Sequence, residues 1–146
     1  MILTQVFDAV NKPQEAEKSA IIDFLFTNLD EYGDPKADIE KAIDYALQNF
    51  DADGGFVGTL NENGKIKGAV VVNKTGMAGY IPENILVYIA IHRDHRGEGL
   101  GKKLMQLAID NAEGDIALHV EHNNPAKFLY EKMGFTNPYL EMRLKR

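Results

Sequence analysis

The run Arg96-Gly97-Glu98-Gly99-Leu100-Gly101-Lys102-Lys103 sets alternating glycines among three cations. What flanks it decides its use. Before it, Ile85 to Ile91 (ILVYIAI) is an apolar and aromatic stretch too short for a buried helix and rich enough in β-branched residues to predict a strand buried on both faces. The polar residues His92 to His95 separate the two, and Leu100, Leu104, Leu107 and Ala108 then recur on one helical face. The glycines therefore fall at a strand-to-helix junction. The first N–H groups of a helix lack internal partners and carry partial positive charge, so this is a place for a phosphate. Glycine lets the backbone close on an anion without a Cβ, and Arg96, Lys102 and Lys103 add cations nearby. A glycine turn also serves as a plain tight turn, so the spacing has to decide further. G-x-G-x-G is not the G-x-G-x-x-G of a dinucleotide fold, and a P-loop would need glycine at position 96 and Ser or Thr at 103, where the chain has Arg96 and Lys103.

Charge points to a second ligand. The chain of 146 residues carries a formal −6, which argues against general nucleic-acid binding. From Glu15 to Asp53 there are 11 acidic and 3 basic residues, a net of −8, leaving +2 for the remainder. An acidic N-terminal third beside a basic glycine turn suits two ligands of opposite sign, although charged helix faces are commonly just solvated. With no cysteine there is no disulfide, cysteine nucleophile or thiolate metal site, and the four histidines form no H-E-x-x-H pattern, so no metal is expected. No apolar run reaches the roughly 18–20 residues of a membrane span, and the N-terminus lacks a signal-peptide pattern. A cytoplasmic protein without a membrane partner is the expectation.

The elements that must position these residues follow from periodicity. Ile2 to Phe7 predicts a strand, and Ala20, Phe24 and Leu25 have helical spacing. Asp34-Pro35 reads as N-cap and first-turn proline of a helix whose stripe is Ile39, Ala42, Ile43, Ala46, Leu47 and Phe50. Phe56 to Leu60 and Lys65 to Asn73 form a hairpin about Asn63-Gly64, and a loop from Gly76 to Asn84 feeds the Ile85 strand. Ile116 to Glu121 is a further strand, Asn124 to Met133 a short helix ended by Gly134, and Phe135 to Tyr139 with Leu140 to Leu144 a last pair of strands broken at Pro138. This order predicts one α/β (α+β) domain over residues 1–146, with a mixed, mostly antiparallel sheet of six to seven strands and helices on both faces.

R-x-x-G-x-G at Arg96 to Gly101, together with N-x-x-A-x-x-x-Y-x-x-x-G-F at Asn123 to Phe135, resembles the GNAT superfamily of acyl-CoA-dependent N-acetyltransferases. The likeness covers Val57 to Arg146, and the N-terminal helices only in their order. It implies a GNAT-like fold that transfers an acetyl group from acetyl-CoA to a primary amine of a small molecule or protein, by direct attack with both substrates bound. The cofactor's pyrophosphate would lie on Arg96, Gly97, Glu98, Gly99, Leu100, Gly101 and Lys102, and its pantetheine arm along the backbone of Ile89, Ala90 and Ile91. Asn123 would contact the cofactor, with Asn124 as alternative because the preceding segment is one residue shorter than is common. Tyr130 matches the family's tyrosine that protonates the leaving thiolate, although by its own residue type it is also a packed ring among Phe128, Leu129 and Met133. For the base, Glu83 lies nearest the family's glutamate position, and His119 and Glu121 are rivals. The acidic segment, with Asp30, Glu31, Asp34 and Asp38 nearest the entrance, would favour a cationic acceptor, and a homodimer stays open. A different class on the same fold is a catalytically silent acyl-CoA-binding or regulatory module, which would have no need of an acid at Tyr130.

Overall fold

The computed structural model describes residues 1–146. Its centre is a sheet in the order β1 (Leu3–Phe7), β2 (Gly55–Glu62), β3 (Lys65–Lys74), β4 (Asn84–Ile91), β5 (Ile116–Leu118), antiparallel except for the parallel pair β4–β5. The helices α1 (Glu15–Asn28) and α2 (Lys36–Ala46) cover one face, and α3 (Leu100–Asn111) and α4 (Lys127–Lys132) the other. Period-two side-chain alternation makes the two cores. Ala69 and Val71 of β3 pack under α1 and α2, while Val70 and Val72 pack under α3, and all four are fully buried. Asn63 and Gly64 both take positive φ, 54° and 75°, the turn expected of the predicted hairpin.

Two irregularities shape β4. Val71 pairs with Tyr88 but Val72 pairs with Leu86, so Val87 has no partner on β3. Val87 and Tyr88 consequently face the same core, beneath α1 and α2, whereas Leu86 and Ile89 face the other, which is a β-bulge. On its opposite edge β4 pairs with β5 only from Asn84 to Leu86. From Val87 to Ile91 that edge has no strand paired to it, so beyond Leu86 and Leu118 the ladder opens as a wedge.

Three expectations need correction. The sheet has five strands, and β5 ends at Leu118 rather than Glu121 because its parallel pairing stops there. The expected strands over Phe135 to Tyr139 and Leu140 to Leu144 do not form. Pro138 has no N–H, residues 136–146 make no backbone hydrogen bond to another backbone group, and Tyr139, Leu140, Met142 and Leu144 are exposed. The third concerns α2, whose N-cap is Pro35, with no side-chain cap, and which stops at Ala46 before Phe50. Asp34 does not cap it because its carboxylate is held elsewhere, as described below.

Candidate active site

Between β4 and α3 the chain makes one 3₁₀ turn, Arg93–His95, and then the glycine turn. Gly97 and Gly99 have φ of 83° and 84°, the left-handed region that glycine enters freely. Gly99 is the residue immediately before α3. No backbone N–H from Arg96 to Lys102 meets an acceptor in the protein, and the first to do so is that of Lys103, which donates to Gly99 O at 3.2 Å. The turn is exposed from Arg96 to Gly99. The sequence thus builds an open row of donors at a helix N-terminus, the arrangement that suits phosphate oxygens. The Arg96 side chain is turned the other way: Nη2 donates to Asn28 O at 2.7 Å and Nε to Ile91 O at 3.4 Å. Lys102 and Lys103 stay exposed near the turn.

Neighbouring elements converge on this turn. A Cβ built on Gly101 would stand 3.1 Å from Leu129 of α4 and 3.9 Å from Ile91 at the end of β4, so α3, α4 and β4 meet there. Tyr130 follows Leu129 and is 8 % exposed, its ring 6.1 Å from that of Phe135. Its hydroxyl makes no hydrogen bond within the protein, and burial pushes its pKa up to about 12. A buried tyrosine usually finds a partner for its O–H. Asn124 caps the approach to α4, its Oδ1 accepting from Ala126 N at 2.9 Å, whereas the side chain of Asn123 is unengaged and exposed. Of the two asparagines, Asn123 is the one with its whole amide free. Its backbone oxygen accepts from Tyr32 OH at 3.5 Å, joining the α1–α2 connection to the far side of the wedge.

Glu83 is not brought to this place. It precedes β4, eight residues or about 26 Å of extended strand from Ile91. Both carboxylate oxygens are already engaged, one with Asp115 N at 2.7 Å and the other with Gly79 N at 3.0 Å. These N–H groups hold its pKa below the ordinary value. In this arrangement it fixes loops at the opposite end of the strand, and the role of base remains what the resemblance implies for it. Glu83→Gln leaves one of those N–H groups facing an amide NH₂, so thermal unfolding should come several degrees earlier while kcat stays within about twofold of the parent. A large loss of kcat at unchanged stability would return Glu83 to the chemistry. His119 stands beside Arg143 at 3.3 Å and Glu141 at 3.9 Å, whereas Glu121 is exposed without a side-chain hydrogen bond.

Two arrangements on the other face have no local signature in the chain. Tyr88 of β4, 8 % exposed, donates its O–H to Asp34 Oδ2 at 2.5 Å, tying the α1–α2 connection to the bulged strand. Burial and the Asp34 charge raise the Tyr88 pKa. Asp30 forms ion pairs with Arg93 at 2.7 Å and Arg96 at 3.6 Å, so it is not a free charge at an entrance. Lys18 neutralises Asp44 and Glu40 in the same manner, and Lys36 pairs with Asp23. Of the four acids expected nearest the entrance, Glu31, Asp34 and Asp38 have no cationic partner. No periodicity in one chain reveals the Tyr88–Asp34 and Arg93–Asp30 pairings, because each joins positions more than fifty residues apart.

Comparison with known proteins agrees with this geometry. The Acetyltransferase (GNAT) family matches residues 20–135. A 5-NmdU N-acetyltransferase of Pseudomonas phage PaMx11 is 29 % identical over 84 residues, which span 56 % of this chain and 58 % of the phage protein. Among solved structures, a GNAT-family acetyltransferase of Streptococcus pneumoniae TIGR4 superposes with a TM-score of 0.71 at 14 % identity, covering 100 % of this chain and 98 % of the other. A ribosomal-protein-alanine N-acetyltransferase from Brucella melitensis biovar Abortus 2308 does so with a TM-score of 0.65 at 16 % identity, covering 100 % of both chains. At those identities the structural matches speak for the fold, and the family match, which takes in the wedge, the glycine turn and α4, speaks for descent: the chain belongs to the GNAT acetyltransferase family.

Proposed function

We propose that the protein is an N-acetyltransferase that carries the acetyl group of acetyl-CoA to a primary amine while both are bound. The observation that carries this reading is the row of N–H groups from Arg96 to Lys102 without an acceptor in the protein. A diphosphate offers oxygens to such a row, and the unpaired edge of β4 from Val87 to Ile91 offers main-chain groups to the extended amide arm that follows it. Acetyl-CoA supplies an activated thioester, whose acyl carbon a neutral amine attacks. Within the wedge, β4 N–H groups donate to the thioester oxygen, and holding both reactants on one strand replaces an encounter by an oriented contact. The ammonium loses one proton to solvent before attack; as the C–S bond breaks Tyr130 gives its proton to the sulfur, and the proton that the nitrogen sheds in becoming an amide restores the phenol, so one proton is released per turnover. The acceptor enters on the side of Glu31, Asp34 and Asp38, which favours a cationic amine. Two of the three named proteins are N-acetyltransferases, which supports nitrogen as the acceptor.

A panel of amines assayed by release of the CoA thiol tests the reading. Thiol release that needs an amine supports transfer; tight acetyl-CoA binding with no release for any amine class marks the silent binding module instead. The Tyr130 pKa adds a pH prediction. A group raised to about 12 stays protonated below that value. For an alkylamine of pKa near 10, kcat/KM should therefore climb to about pH 10 with no descending limb from the tyrosine. A fall beginning near pH 9 that vanishes in Tyr130→Phe would contradict the effect of burial.

A further inference from the structure

The C-terminal end of α1 is fastened to the glycine turn by a set of contacts that the proposed chemistry does not use. The last carbonyls of a helix lack internal partners and carry partial negative charge. Two of them are met by arginines from beyond β4: Arg93 Nη2 donates to Thr27 O at 2.9 Å and Arg96 Nη2 to Asn28 O at 2.7 Å. Asn28 is only 5 % exposed, and both ends of its amide are engaged. Its Nδ2 donates to Phe24 O at 2.9 Å, which directs Oδ1 to the backbone N–H of Arg93 at 3.0 Å. Asp30 completes the set with one carboxylate oxygen 2.7 Å from Arg93 and the other 3.6 Å from Arg96. Its φ is +54°, a conformation uncommon outside glycine, at the residue that engages both guanidinium groups.

These contacts act where the row of donors begins. Arg93 opens the 3₁₀ turn and Arg96 opens the glycine turn, while on the sheet side His92 N donates to Lys67 O at 2.8 Å and Lys67 Nζ lies 2.9 Å from His95 Nε2. The segment is thus gripped from both sides, and the direction in which its free N–H groups point is fixed before any ligand arrives. We propose that Asp30, with Asn28, is a positioning residue for the donor's diphosphate, acting through Arg93 and Arg96. This rests on the reading that the turn takes acetyl-CoA.

The proposal reverses what charge alone would do. Asp30 is an anion near a site for an anion, so by Coulomb's law its removal tightens the donor; as a positioning residue, its removal weakens it, because the ordering of the turn must then be met on binding. The test is calorimetric titration of CoA into the parent, Asp30→Asn and Asp30→Gly, with melting temperatures of all three. Asp30→Gly removes the carboxylate and eases the left-handed backbone. It should bind CoA at least fivefold more weakly and melt no earlier than the parent, and Asp30→Asn, which keeps an acceptor oxygen for Arg93, should fall between the two. A residue serving only the fold would change melting and leave affinity alone. Equal or tighter CoA binding by either variant overturns the proposal. Absence of CoA binding by the parent overturns the donor assignment, and the proposal with it.

Discussion

Tyr130→Phe should lower kcat by roughly 10²-fold while acetyl-CoA affinity and melting temperature stay where they are. The reason lies in what the hydroxyl does not touch. The ring is packed in the core beneath α3 and beside Phe135, and phenylalanine reproduces that packing. The O–H has no partner in the protein, so its loss breaks no bond of the fold. A tyrosine kept only for its ring therefore predicts no change in any of the three quantities. Steady-state kinetics with a competent amine decide between the readings: turnover within about twofold of the parent places the acid elsewhere.

The second large effect is expected at Gly99. Gly99→Asp should reduce CoA affinity at least tenfold, about 1.4 kcal/mol. No atom lies within 4 Å of a Cβ built at this position, so crowding is not the cause. Two other effects act together: the φ of 84° strains any L-residue, and a carboxylate is placed among donors that await an anion. Gly99→Asn separates them, since asparagine tolerates the left-handed region better than most residues and is neutral. It should lose less affinity than the aspartate variant. Unchanged CoA affinity in a folded Gly99→Asp protein removes the diphosphate from this turn.

What could be read in the chain was whatever depends on near neighbours. The hairpin at Asn63-Gly64, the helix after Gly99 and the short helix carrying Tyr130 follow from period and turn chemistry, and each is in the structure. The alternation of Leu140, Met142 and Leu144 follows the same rule and fails, because periodicity states which face of a strand is apolar and not whether an edge receives it. Asp34 failed for a related reason. Its type suits a helix cap, but a phenol fifty-four residues away binds the carboxylate first. The role of Glu83 could be reached only by analogy, and the structure sets its carboxylate against two backbone N–H groups just before β4. The bulge at Val87 left no sign in a run of uniformly apolar residues, yet it turns Tyr88 toward the acidic side.

The row of donors from Arg96 to Lys102 belongs to the main chain, whereas the proposed acceptor side presents side chains, those of Glu31, Asp34 and Asp38. These two halves answer differently to mutation. A backbone donor survives most exchanges at Glu98, Leu100 or Lys102, provided that Gly97 and Gly99 keep their φ, so the donor half can be inherited almost unchanged. A side-chain contact is lost or remade by a single codon. New acceptors can therefore be acquired by drift in the connection from Glu31 to Asp38 without relearning the acyl donor, and a laboratory search for altered amine preference should begin by randomising that stretch while Asn28 and Asp30 are kept.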